Sequence, residues 1–201
     1  MKWTSVASFA LVSLLQGQCH ARRLWFHLPD DLDDGRYTIT FKDGKVDQEP
    51  TLERYNLTEA DAMLKGKKHP RLVLPRGVPD PENKVPTYGA RIPVSGSGCS
   101  YDDTPLDPDD YWASKQSLGN FCDDHFAERV RIDIALHGSV KVWVCAIDKW
   151  TRCARWEYRE AEHVFNRTCG EDQGAWTSLK SWGRVYGRSP RHLPIHCEDF
   201  V

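Results

Sequence analysis

Six cysteines, Cys99, Cys122, Cys145, Cys153, Cys169 and Cys197, all fall after residue 98 of a 201-residue chain. Such an even set dictates covalent staples only where thiols are oxidised, and the first 21 residues supply that condition. Lys2 gives a positive start, Val6 to Leu15 is an almost unbroken apolar run, and Cys19-His20-Ala21 sets small residues at the two positions a signal peptidase reads. The stretch reads as a secretory leader, too short to span a bilayer, and Gln18 before Cys19 argues against lipidation. The six remaining thiols are therefore expected as three disulfides in an extracellular protein.

The mature chain divides into unequal parts. Residues 22–94 hold no cysteine. There Tyr37, Ile39 and Phe41 alternate with Thr38 and Thr40, a strand with one buried face. Asp43-Gly44 follows as a hairpin turn into Lys45 and Val46. From Pro70 to Pro93 the chain is rich in proline and charge and reads as an extended connector. Ser95-Gly96-Ser97-Gly98 looks like a hinge into a cysteine-rich domain over residues 95–201.

That domain alternates helix and strand signals. Asp107-Pro108-Asp109-Asp110 carries an N-cap residue, a first-turn proline and two acids suited to the helix dipole. Tyr111, Leu118 and Cys122 share one face of the helix that follows. Val130, Ile132, Ile134 and Leu136 alternate with polar or small residues, His137-Gly138-Ser139 turns, and Val140, Val142 and Val144 alternate with Lys141, Trp143 and Cys145. A second helix is expected from Arg152 to Thr168 with Gly170 as its stop, and strands near Trp176–Leu179 and Arg184–Tyr186. The expected fold is α+β: an antiparallel sheet with two helices packed on it, disulfide-stabilised, preceded by an N-terminal hairpin and a proline-rich connector. Of the fifteen possible pairings, helix ends meeting on one sheet face favour Cys122–Cys169, a short loop favours Cys145–Cys153, and Cys99–Cys197 then ties the domain ends.

No catalytic constellation stands out. Metal ligation by His125, His137, His163, His192 and His196 lacks an HExxH or CxxC spacing. The simpler reading is surface histidines. Gly96-Ser97-Gly98 lacks the strand-to-helix elbow of a serine hydrolase. The carboxylate pairs Asp30-Asp31, Asp33-Asp34, Asp102-Asp103, Asp109-Asp110 and Asp123-Asp124 read as caps and solvated charges more readily than as a glycosidase pair. A ribonuclease would need His137, Glu157, Arg159 and His163 to converge. No cofactor is expected. Two sequons, at Asn56 and Asn166, are candidate glycosylation sites. The dibasic pairs Arg22-Arg23 and Lys67-Lys68 read as processing sites or, more simply, as exposed charges.

The net charge is −2, one unit lower once Lys2 leaves with the leader, so neither nucleic acid nor an anionic membrane is an expected partner. No later segment is apolar enough to span a membrane, and the end at Val201 lacks the tail of a GPI signal. Eight tryptophans are many for this length. Trp143 lies on the strand face opposite Val142 and Val144, which makes it the best candidate contact residue; Trp150, Trp156, Trp176 and Trp182 are close in sequence. The tryptophans either mark a recognition surface or fill a layered core.

Val140-Lys-Val-Trp-Val-Cys145, Cys153, Thr168-Cys169-Gly170, Ala175-Trp176, Trp182–Arg188 and the near-terminal Cys197 together resemble small secreted cysteine-rich proteins of fungi. Leu28-Pro29-Asp30 and Asp34–Thr38 resemble the N-terminal strand of the same group. The order strand–Cys–helix–Cys-Gly–strand is loosely similar to the killer-toxin-like fold, whose members carry more cysteines. The resemblance implies a fungal source, secretion and a role at a host or competitor interface, and brings no catalytic residue. The expected function is effector-like or toxin-like binding of a protein or glycan on a host or competitor cell. Rival expectations are a small secreted hydrolase, foremost a ribonuclease, and a cell-wall structural protein.

Overall fold

The computed structural model describes residues 24–41, 50–55, 92–124, 130–146 and 153–197. In chain order the elements are β1 (Leu24–Phe26), β2 (Gly35–Thr40), β3 (Thr51–Arg54), β4 (Gly96–Cys99), α1 (Pro108–Asp124), β5 (Arg131–His137), β6 (Val140–Ala146), α2 (Arg155–Cys169), β7 (Ala175–Leu179), a 3₁₀ turn (Lys180–Trp182), β8 (Arg184–Pro190) and β9 (Ile195–Cys197). Seven strands form one antiparallel sheet in the order β3-β2-β5-β6-β8-β7-β4, and β1 pairs with β9 in a separate ribbon. The fold is α+β, with both helices on one face of the sheet.

Local chemistry sets the element ends. Asp107 caps α1, its Oδ1 accepting from the backbone N–H groups of Asp109 and Asp110, both at 3.0 Å. The β5–β6 hairpin closes through two residues, with Gly138 at φ +50°, the left-handed region such a turn requires. Asp110 of α1 locks that turn, accepting from Ser139 N at 2.7 Å and Ser139 Oγ at 2.8 Å.

The sheet is covered on both sides. Val142, Val144, Ala135 and Tyr186 lie under Leu118 and Phe121 of α1 and Tyr158, Ala161 and Phe165 of α2. Ile132, Ile134, Trp143, Cys145 and Val185 face the other way, against Tyr37, Ile39, Ile195 and Phe26. The strict alternation along β6 thus serves two cores, and every residue of that strand is buried. Three layers result: helices, sheet, and the β1–β9 ribbon with its flanking segments.

Several expectations change. The N-terminal strand is not set apart from the cysteine-rich region, because β2 pairs with β5 inside the sheet. Its other partner is β3, beyond the expected return at Lys45-Val46. Asp43-Gly44, Lys45, Val46 and the connector from Pro70 to Pro86 lie outside the described residues, as do the leader, Asn56 and Lys67-Lys68. Gly96-Ser97-Gly98 is no hinge; it belongs to edge strand β4, in register with Ser178, Thr177 and Trp176 of β7, respectively.

All six cysteines are disulfide-bonded, but the expected pairing is overturned: the pairs are Cys99–Cys169, Cys122–Cys153 and Cys145–Cys197. Two physical reasons account for it. The helices run antiparallel, since Tyr111 and Lys115 near the start of α1 meet Glu162 of α2, whereas Arg155 at the start of α2 meets Gln116 and Asn120. The end of α1 therefore reaches Cys153, not Cys169. Cys145 shares the ribbon face with Trp143, so the sheet itself separates it from Cys153, and Cys197 of β9 is its neighbour.

Candidate aromatic binding site

One row of residues crosses the sheet on the ribbon side. Trp143 is the register partner of Gly187, Gly187 of Trp176, and Trp176 of Gly98. Each glycine leaves room for the neighbouring indole to lie on the sheet. A Cβ at Gly98 would meet three indole atoms of Trp176 at 2.9 Å. Trp143 is 2 % exposed, so the expectation that it contacts a partner is overturned: it is core, under the ribbon, and its Nε1 donates to the carbonyl of His196 at 3.2 Å.

The same row floors a cleft of about 250 Å³ between the ribbon and the β4 edge, walled by Trp25, Tyr101, Trp176, Leu193, Pro194 and His196. His196 stacks on Trp176 with ring centroids 4.4 Å apart, and Trp25 meets His196 edgewise at 4.5 Å. Trp25 is 48 % and Tyr101 71 % exposed, two large aromatic surfaces turned to solvent at the rim. Among the described residues no lysine or arginine lines the cleft.

The flanks are polar. Asp102, next to Tyr101, accepts from Thr104 N at 2.8 Å and Thr104 Oγ1 at 2.6 Å, and pairs with His192 Nε2 at 2.8 Å. The Thr104 hydroxyl first, then His192, holds its carboxyl down at about 2, so it stays a charged acceptor. Behind the wall, Lys141 is fully buried. Its Nζ donates to the carbonyls of Arg191, at 2.7 Å, and Leu193, which fixes the loop that carries His192 and Pro194. Burial pulls the Lys141 ammonium down to about 7.

The residues considered for catalysis do not assemble. His137, at the β5–β6 turn, lies 3.2 Å from Asp110 through Nδ1. Ser139 Oγ donates to that same carboxylate, so Asp110 rather than histidine receives the hydroxyl proton and no activated nucleophile results. Glu157 is buried beneath α2 with Arg184 and the Tyr186 hydroxyl, whereas Arg159 and His163 are exposed on that helix. Asp33 and Asp34 serve Arg54, Arg191 and the Gly138 N–H. Among the described residues no three His, Cys, Asp or Glu side chains gather where a metal ion would sit. His192 and His163 are exposed as expected, but His196 is buried, because β9 turns it onto Trp176. His125 and Trp150 lie outside the described residues. Asn166 is half-buried in α2, with its Oδ1 enclosed and without a hydrogen-bond partner. Trp156 and Trp182 meet edgewise at 6.1 Å against the helix-side core.

A second buried network joins the helices. Arg188, fully buried, donates to the carbonyls of Gln173 at 2.9 Å and Gly170 at 2.6 Å and to the Tyr111 hydroxyl at 3.2 Å. Tyr111 in turn donates to Glu162 at 2.8 Å. Burial pushes the Tyr111 and Tyr158 hydroxyls up, so neither supplies a proton near neutrality. This network pins helix α2 to the sheet.

Trp25 and Tyr101, which carry the cleft with His196, do not stand out in the sequence, and His196 stands out there only as a metal-ligand candidate. A signal existed for Tyr101, an aromatic within the polar run Ser100–Asp103. None existed for Trp25, whose place depends on β1 pairing with the last cysteine strand some 170 residues later. Comparison of the chain with family models, curated proteins and solved structures finds no match. Among the described residues no helix is long and apolar enough to cross a membrane.

Proposed function

We propose that this is a secreted effector-like or toxin-like protein that acts by binding a protein or glycan on a host or competitor cell. The single observation that carries the reading is the solvent-open aromatic cleft of Trp25, Tyr101 and Trp176 on a cross-linked scaffold. Exposed aromatics of this kind are typical anchors of recognition surfaces. The leader and the three disulfides support export. The resemblance to fungal secreted cysteine-rich proteins supports the same compartment and role. Catalysis has less support, because His137 sits at the β5–β6 turn against Asp110, Glu157 is buried with Arg184 and Tyr186, and His163 is exposed on α2.

Labelled protein applied to plant, fungal and bacterial cells tests the reading. The expected result is saturable retention on at least one cell type, lost in Trp25→Ala and Tyr101→Ala. Retention that survives both substitutions sinks the reading. So does turnover of RNA that disappears in His137→Ala or His163→Ala.

A further inference from the structure

We propose that the cleft between Trp25 and Tyr101 is a sugar subsite that takes the apolar face of one neutral hexopyranose ring. The proposal rests on the binding reading above and names its ligand class.

Size comes first. At about 250 Å³ the cleft falls just below the roughly 300–1,000 Å³ of pockets that take drug-sized ligands. It suits a single six-membered ring better than a helix or an extended peptide.

Surface chemistry narrows the class. A pyranose carries C–H groups on one face and hydroxyls round its edge. Aromatic faces are electron-rich and attract the slightly positive C–H side. Trp25 and Tyr101 offer such faces at the rim, and each side chain has only two torsions to fix. Asp102 follows Tyr101 in the chain, outside the lining itself, and is ionised and oriented by Thr104 and His192. A carboxylate accepts about four hydrogen bonds, and the three contacts from Thr104 and His192 leave capacity for a sugar hydroxyl.

Charge excludes the neighbouring classes. With no lysine or arginine among the described residues of the lining, a phosphate, sulfate or uronic acid would find no counter-charge among them. A methylated ammonium would need three open ring faces around one point. Trp176 does not supply the third, because Gly98 and His196 lie against it.

Rigidity completes the case. Cys99, just before Ser100 and Tyr101, is tied to Cys169, and Cys197, just after His196, is tied to Cys145. Both walls are covalently anchored, so little ordering remains to be done when a weak ligand binds.

The test is titration of the full chain with soluble cello-, laminari- and N-acetylglucosamine oligosaccharides, followed by calorimetry and tryptophan fluorescence. Saturable binding of at least one is expected, weakened roughly tenfold or more in Trp25→Ala and Tyr101→Ala. Asp102→Asn should weaken it less. Trp112→Ala, on an exposed position of α1, should leave it unchanged. Tyr101 is too exposed for its removal to unfold the protein, and Trp25→Phe serves if Trp25→Ala misfolds. Absence of saturable binding across the panel, or binding indifferent to Tyr101→Ala, overturns the sugar assignment. If the cleft variants then still lose cell retention, the binding reading stands with a protein partner; if they keep it, both fail.

Discussion

Trp143 lies across Gly187, its register partner on β8, so closely that a Cβ at 187 would come within 2.2 Å of the indole Cζ2. The pair joins the centre of the sheet to the ribbon layer. The glycine admits the indole, the indole covers the glycine, and its Nε1 fastens the β9 backbone at His196.

Gly187→Ala should therefore destabilise strongly for so small a change. Overpacking a filled core costs about 1–3 kcal/mol, and an overlap with a ring that has no free side places this site at the upper end. Trp143→Leu opens the space but leaves a void, at a cost of about 3–5 kcal/mol by analogy with other large-to-small changes. The double variant should be less unstable than the sum of the two, because the clash disappears with the indole. Urea unfolding midpoints at constant slope measure this. Strict additivity would mean that the two residues do not meet.

The same pair shows what was legible in the sequence. Alternation of Val142 and Val144 with Trp143 and Cys145 is plain, and it correctly divides β6 into two faces. The missing fact was a cover for the second face. That cover comes from Trp25–Phe26 and Ile195–Cys197, segments about 170 residues apart in sequence, whose pairing no local pattern announces. The cleft lies where those segments meet, so it was hidden for the same reason. The parity that placed Trp143 also set Cys145 on the ribbon side and so excluded Cys153 as its partner. By contrast, the α1 cap at Asp107 and the His137–Ser139 turn rest on neighbouring residues and fold as their sequence implies.

Two buried charged groups give the stability an unusual pH profile. Asp133, held against Thr38 and Arg131, is pushed up to about 6 by burial, above its unfolded value of 3.8. Its contribution is complete below the unfolded value and is lost as pH rises through 6. Lys141 falls from 10.5 unfolded to about 7 folded, so the native state carries a penalty below 7 that lifts as pH climbs toward 10.5. Together they produce a shallow minimum near pH 6–7. Unfolding free energies measured from pH 4 to 10 should show it. Asp133→Asn should remove the acidic limb, and Lys141→Met the alkaline one. A wild-type profile that rises steadily through neutrality would contradict the assignment.

Glu157 and Arg184 form a buried pair, with the Tyr186 hydroxyl donating to Glu157 at 2.5 Å. Removing one partner leaves a charge in a dry site, which costs about 3–5 kcal/mol, whereas replacing both with apolar residues of similar volume is often near neutral. Glu157→Gln should thus be markedly less stable than Glu157→Leu combined with Arg184→Met. Chemical denaturation of the two variants decides the matter. Equal stability would show that the ion pair is dispensable.

The three disulfides should be nearly equal in global effect and unequal in local effect. In the chain-entropy model the loops of 52 residues at Cys145–Cys197 and 31 at Cys122–Cys153 each contribute on the order of 4 kcal/mol, since the dependence on length is logarithmic. Their positions differ. The β1–β9 ribbon has only three residues in each strand, too few to persist unaided, and Cys145–Cys197 bolts it to the sheet. Cys122–Cys153 joins two helices that already share a core. Amide exchange at Ile195–Cys197 should therefore accelerate far beyond the global rate in the Cys145→Ala, Cys197→Ala double variant, while it tracks global unfolding when Cys122 and Cys153 are replaced. The cleft should loosen with the ribbon, seen as greater acrylamide quenching of tryptophan in the first variant alone. Protection of β9 that survives loss of its bridge would show that packing under Trp25 suffices to hold the wall.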